Sequence, residues 1–239
     1  MVTVLTPGPG RKPAFDREQA IQAALSEGVG SFSLRGVADR LGIKPPALYR
    51  MFSSRDELQA AAMEKLATDI EAPTMVASWQ EALRLVASRS WELFCRHPEA
   101  PTVIMTKPDA MTGAVPRFEE LVHRLVELNI PGGLPTASFA VDFIGDTTVC
   151  TFLQMQYLTT TDETGETPLD RYTKSTEESE DVFGVKNMPD TGFLDAKVEF
   201  IITSIEHGIG PHGTPTTNRC PDATRKAEEH PATRGCLGR

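Results

Sequence analysis

The chain has 239 residues, of which 40% are hydrophobic and 24% charged, and carries a net charge of −9. These values fit a globular protein with one large or two modest domains, and exclude a disordered or fibrous chain. No uncharged apolar run reaches the ~20 residues of a membrane-spanning helix, so no membrane partner is expected.

The opening stretch MVTVLTPGPGRKPAF interrupts its few apolar residues with Pro and Gly, so it does not read as a secretory leader. A cytoplasmic location is the expectation. The four cysteines, Cys95, Cys150, Cys220 and Cys236, form no C-x-x-C pair and no zinc-like cluster with histidine. The expectation is two reduced core cysteines, two in a loose tail, and no metal or cofactor.

Charge is unevenly spread. Residues 1–55 hold eight Lys/Arg against four Asp/Glu, while residues 56–239 hold sixteen against twenty-nine. The positive segment could face phosphates, and the acidic remainder would orient the molecule on them by repulsion.

In chain order, residues 1–13 are rich in Pro and Gly and read as a flexible arm. Asp16 with Gln19 is a helix-opening pattern, and Ala20, Ile21, Ala24 and Leu25 give the first helix one apolar stripe that Gly28 ends. Leu34, Val37, Ala38 and Leu41 repeat at helical spacing. Gly42 then stops the second helix, and Pro45-Pro46 stand where a third can begin. Ala47, Leu48, Met51 and Phe52 supply the third helix with a buried face. Two short helices around a glycine turn, the second carrying Lys44, Tyr49 and Arg50, form a helix-turn-helix, the unit that reads DNA.

Ser54 with Glu57 opens a fourth helix to about Glu71, stopped by Pro73. Ser78 with Glu81 opens a fifth, whose face is Trp79, Leu83, Val86, Ala87, Ser90, Trp91 and Phe94. A short sixth lies near Val103–Thr106. A seventh, about Pro116–Leu128, turns Phe118, Leu121, Val122, Leu125 and Val126 inward. Thr136–Leu158 is apolar on nearly every face, which indicates burial on more than one side. Asp146 sits midway along it and, if buried, needs a partner. Thr159–Pro189 is acidic and aperiodic, with room for one short helix at most. Phe193–Ile209 is again strongly apolar. The expected fold is therefore all-α, with a three-helix head over residues 14–72, a larger helical body over 73–209 and a loose tail over 210–239.

The run Ser33-Leu34-Arg35-Gly36-Val37-Ala38, then Leu41-Gly42-Ile43, Ala47-Leu48-Tyr49, Phe52 and Arg55-Asp56-Glu57-Leu58, resembles the DNA-binding head of the TetR/AcrR family of regulators. The resemblance covers about Phe15–Glu71. The body resembles the tetracycline-repressor branch more weakly, through Ser78-Trp79-Gln80, His97–Pro108, Gly145–Gln154 and Phe200–Glu206. It implies a homodimer in which the helices Thr136–Leu158 and Phe193–Ile209 of two subunits form a four-helix interface. It also implies repression at a palindromic operator, with release when a small molecule enters the body.

Carried over residue by residue, the resemblance places Arg35 on a guanine, for which its two-pronged guanidinium is suited. Ser33 and Tyr49 would bond phosphates, and Lys44, Arg50 and Arg55 would neutralise them. Pro45 and Ala47 complete the DNA-facing set. The Pro45-Pro46 pair departs from the family's polar residues there and offers only apolar contact, as to a thymine methyl. At the positions where tetracycline-binding members hold magnesium, this chain has Ile104 and Gln154, neither a good magnesium ligand. A magnesium–tetracycline complex is therefore not the expected effector. The expected lining is Val86, Trp91, Phe94, Ile104, Met105, Phe118, Leu121, Phe143, Asp146, Phe152 and Gln154, with Thr147 or Thr148 as further polar anchors. Such walls suit a hydrophobic, polycyclic or aromatic molecule with one or two hydrogen-bonding groups.

No G-x-S-x-G, H-E-x-x-H, phosphate loop or Glu-x-x-His pair supports an enzyme. The alternative to a ligand-released repressor is an activator, or a DNA-binding regulator without a small-molecule ligand.

Overall fold

The computed structural model describes residues 15–70, 75–176, 185–187 and 191–211, and every regular element among them is helical. The expected arm, the Pro73 stop, Cys220, Cys236 and nearly all of the expected tail lie outside the described residues.

The head is built from α1 (Arg17–Glu27), α2 (Leu34–Arg40), α3 (Pro45–Tyr49) and the first part of α4 (Arg55–Asp69). Asp16 and Gln19 close a reciprocal cap: each side chain accepts the other's backbone N–H, at 2.8 and 2.9 Å. Gly42 takes φ +66°, a left-handed conformation that L side chains adopt only with strain, and it turns the chain from α2 into α3. The Ile43 amide reaches back to the Ala38 carbonyl at 3.0 Å, closing the end of α2. Gly36 serves a close approach. A Cβ there would stand 2.4 Å from a carboxylate oxygen of Glu27 at the end of α1.

Val37, Leu48, Phe52 and Leu58 are fully buried at the centre of the head. Burial of such side chains contributes about 1.5–3 kcal/mol each, before the entropy of ordering them. At α4 the Ser54 hydroxyl accepts the Glu57 amide, but the Glu57 carboxylate returns to Ser53, one residue before the expected partner.

The body comprises α5 (Trp79–Arg96), α6 (Ala100–Thr106), a 3-10 segment at Pro108–Ala114, α7 (Val115–Glu127), α8 (Gly133–Thr159), α9 (Pro168–Ser175) and α10 (Thr191–Glu206). The central helix α8 packs against α5, α6, α7, α9 and α10, which accounts for its apolar character. It begins three residues earlier than expected, after a left-handed Gly132. On α5 the anticipated face is buried from Trp79 to Phe94, except for the half-buried Ser90. Trp91 and Phe94 both meet Phe152 of α8 edge-on, with ring centroids 5.2 and 5.5 Å apart.

Several expectations are corrected. On α7 only Leu121 and Leu125 are buried, while Phe118 and Val126 stand partly exposed. Asp146 is exposed, so it needs no buried partner. Cys95 and Cys150 are exposed free thiols, not core residues, because each falls on the outward arc of its helix.

Candidate DNA-reading head and effector cavity

Ser33 caps α2. Its hydroxyl oxygen accepts the Gly36 amide at 2.9 Å, leaving the hydroxyl hydrogen able to donate outward. Arg35 projects from the first turn with 86% of its side chain exposed, weakly paired to Asp39 at 3.8 Å. Lys44, Tyr49 and Arg50 are exposed along and beside α3. All five are exposed and belong to the helix-turn-helix segment of the head.

Three neighbours differ from expectation. Ala47 and Pro45 are half-buried, Ala47 against the head core, whereas Pro46 is exposed. Pro46, not Pro45, is the proline that stands open to a partner. Arg55 is turned inward. Its Nε donates to the Phe32 carbonyl at 2.9 Å and its Nη2 to the Gly30 carbonyl at 2.7 Å, and its guanidinium lies 4.6 Å from the Phe32 ring. The geometry makes Arg55 a tie across the α1–α2 turn, not a free phosphate neutraliser.

Below the head, α4, α5, α6, α7 and α8 surround a cavity of about 550 Å³. Phe94, Ile104, Phe118 and Asp146 line it as expected. The other expected residues do not line it. Val86, Trp91, Leu121 and Phe152 are core. Met105 and Gln154 face outward on the far arcs of α6 and α8. Phe143 and Thr147 line a separate exposed cleft between α8 and α10, and buried Thr148 donates its hydroxyl to the Ile144 carbonyl. The position of Gln154 thus contradicts its placement in the effector site. Residues that sequence reasoning passed over include Met63 and Leu66 of α4, Ile70 just after its end, Val122 of α7, and the polar Glu119, His123, Ser138 and Asp142. The signal available for the last was Asp142 and Asp146 at helical spacing in an otherwise apolar helix.

One short helix touches both regions. Ile104 of α6 lines the cavity, while the residues flanking α6 hold the head. At its start, Glu99 accepts the Gly30 amide at 2.7 Å. At its end, the Lys107 ammonium donates to Gln59 at 2.9 Å and to Asp56 at 3.0 Å. Gln59 is itself buried and donates to the Val29 carbonyl at 2.7 Å. The bond from Lys107 and its charge hold the Asp56 carboxyl below the ordinary carboxylate range. Among the described residues no helix is long and apolar enough to cross a membrane.

The family model described as "Bacterial regulatory proteins, tetR family" matches residues 18–62, the same helices that form the head. Over those residues the chain is similar to the tetR family of bacterial regulatory proteins. It is similar to the HTH-type transcriptional repressor DrrR1 of Streptomyces coeruleorubidus, 30% identical over 122 residues, which cover 48% of this chain and 45% of that protein. An HTH-type transcriptional regulator of Saccharopolyspora erythraea is 26% identical over 113 residues, covering 45% of this chain and 48% of that one. The chain thus spans about half the length of the curated relatives it matches. The fold extends through the body. A possible TetR family regulator from Streptomyces coelicolor superposes with a TM-score of 0.63 at 20% identity, covering 81% of this chain and all of that one. The TetR family protein ActR of the same organism, solved in complex with actinorhodin, gives 0.59 at 18% identity and covers 82% of this chain and 99% of its own. At those identities the likeness is one of fold.

Proposed function

We propose that the chain is a tetR-type, ligand-responsive transcriptional repressor. It binds a palindromic operator as a homodimer and is released by a small hydrophobic effector held in the 550 Å³ cavity. The observation that carries this reading is α6. Its side chain Ile104 forms part of the cavity wall, and its flanking residues Glu99 and Lys107 bond to the head. A ligand that shifts α6 therefore has a bonded route to the reading helices. The ligand can act only through a difference in affinity between the DNA-bound and free arrangements. By reciprocity, operator DNA weakens ligand binding by the same factor.

The dimer is supported by the outward side of α8 and α10. Phe139, Phe143 and Phe200 are 45, 44 and 74% exposed, more large apolar surface than a lone subunit of this size ordinarily leaves wet. A second copy related by a two-fold axis would cover it and set two heads at the spacing of two half-sites. The test is fluorescence anisotropy of the purified protein on operator duplex at several salt concentrations. Steep weakening with salt is expected from displaced counterions, and a flat salt response would count against phosphate contact by the head.

A further inference from the structure

The outward side of α8 and α10 is aromatic but carries two charges. Along α8 the exposed residues Phe139, Phe143, Asp146 and Cys150 follow one another at intervals of four, three and four, the seam spacing of a helix that packs on another helix. On α10, Phe193, Lys197 and Phe200 repeat at four and three. Each seam thus holds one charged residue, an acid on α8 and a base on α10. Both line the cleft of about 560 Å³ between the two helices, and Asp146 also reaches the wall of the effector cavity.

Lys197 is half-buried. Its ammonium donates to the Thr151 hydroxyl at 2.8 Å and stands 4.4 Å from the centre of the Phe193 ring. An ammonium has three N–H donors, so one bonded hydroxyl leaves two without a protein acceptor. Burial holds the amine below the ordinary lysine range. Among the described residues, neither Lys197 nor Asp146 forms an ion pair within the subunit. Water can serve both groups while the cleft is open, but not once it is covered.

We propose that Asp146 and Lys197 select the partner of this face: the carboxylate of each copy meets the ammonium of the other, so the chain pairs with itself in one register and rejects a chain with a different charge pattern. This rests on the reading of α8 and α10 as the self-association face and deepens it. A two-fold axis brings cleft to cleft. Only a residue on the axis meets its own counterpart, and every other contact occurs twice, once from each copy. Acid and base then meet twice. Acid on acid and base on base would instead press like charges together where water is scarce. The aromatic residues supply area, but they fit many apolar faces. A single charged position in such a seam fixes the register, at some cost in stability. Its mismatch is what disfavours a wrong partner.

Sedimentation of the full chain and its charge variants over micromolar concentrations tests this. Asp146→Lys and Lys197→Glu, each alone, should dimerise about ten-fold more weakly or worse, because like charges meet twice. An equimolar mixture of the two should return the dimer to near wild-type strength, since each contact is again acid on base. That restoration also shows that both variant chains are folded. The chain carrying both substitutions should dimerise with itself yet exchange no subunits with tagged wild type. Failure of the mixture to restore the dimer overturns the proposal, however the single variants behave alone. Free exchange of the double variant with wild type overturns it too. Single variants that dimerise as tightly as wild type overturn it while leaving the self-association face standing. A wild type that is monomeric throughout removes that face and the proposal with it.

Discussion

The Glu99 carboxylate, at the start of the cavity-lining helix, accepts the backbone amide of Gly30, in the turn that leads into the helix-turn-helix, at 2.7 Å. The Gly30 carbonyl is taken by Arg55 at 2.7 Å, so both polar groups of one peptide position are bound by side chains from elsewhere. Glu99→Ala removes the acceptor, whereas Glu99→Gln keeps one. The Ala variant should bind effector with unchanged affinity in the absence of DNA but need more effector to leave the operator, and Gln should behave nearly as wild type. Effector titrations read by anisotropy check this. Identical release curves for all three proteins would remove Glu99 from the coupling path.

Arg55 and Arg35 should separate cleanly. Arg55→Ala strips two carbonyls of a charged donor and should cost the fold about 1–3 kcal/mol, seen as a lower midpoint in urea. Arg35→Ala touches only a long, exposed ion pair and should leave the midpoint unchanged. It should instead cost about 1–3 kcal/mol of operator affinity and relax the preference at one base pair. An unchanged midpoint for Arg55→Ala would show that the tie is not formed in solution.

The structure also decides where to break the dimer. Ile202 and Ile205 are 1 and 4% exposed within a single subunit, so charges there should unfold the body. Phe200→Glu should instead give a folded monomer, because Phe200 lies outside the subunit core. Light scattering combined with circular dichroism checks both. A dimeric Phe200→Glu protein would move the interface off this face.

His97 makes stability depend on pH. Burial, reinforced by the neighbouring Arg96 charge and partly offset by Asp69, holds its imidazole below the ordinary histidine value of 6.5. The unfolded chain therefore binds the proton more readily than the folded one, and stability rises with pH in this range. The contribution is fully present above about 6.5 and is lost as pH falls through the lower folded value. Between pH 7.5 and 5 the urea midpoint of the wild type should fall relative to that of His97→Asn, which has no proton to take up there. Parallel curves would contradict the assignment.

The head was legible because its signals are local. Asp16 with Gln19, Gly42 and the Pro45-Pro46 start each act within a few residues of the feature they make. What was not legible depends on contacts distant in sequence. Arg55 looked like a phosphate ligand because nothing beside it in the chain shows that its partners are carbonyls 23 and 25 residues away. The apolar period of α10 identified its helix but not which arc meets α8 and which faces out, so Ile202 and Phe200 could not be told apart. On α8, apolar groups on nearly every face hid the phase that puts Asp142 and Asp146 on the cavity and Gln154 outside it.

The most direct test of the account is selection of duplexes with a randomised centre by the purified wild-type protein and by Arg35→Ala. The account predicts that wild type enriches an inverted repeat whose half-sites stand about one helical turn apart, ~34–36 Å. Arg35→Ala should lose the preference at one symmetric pair of positions. Enrichment of no sequence, or of a site without two-fold symmetry, would contradict it.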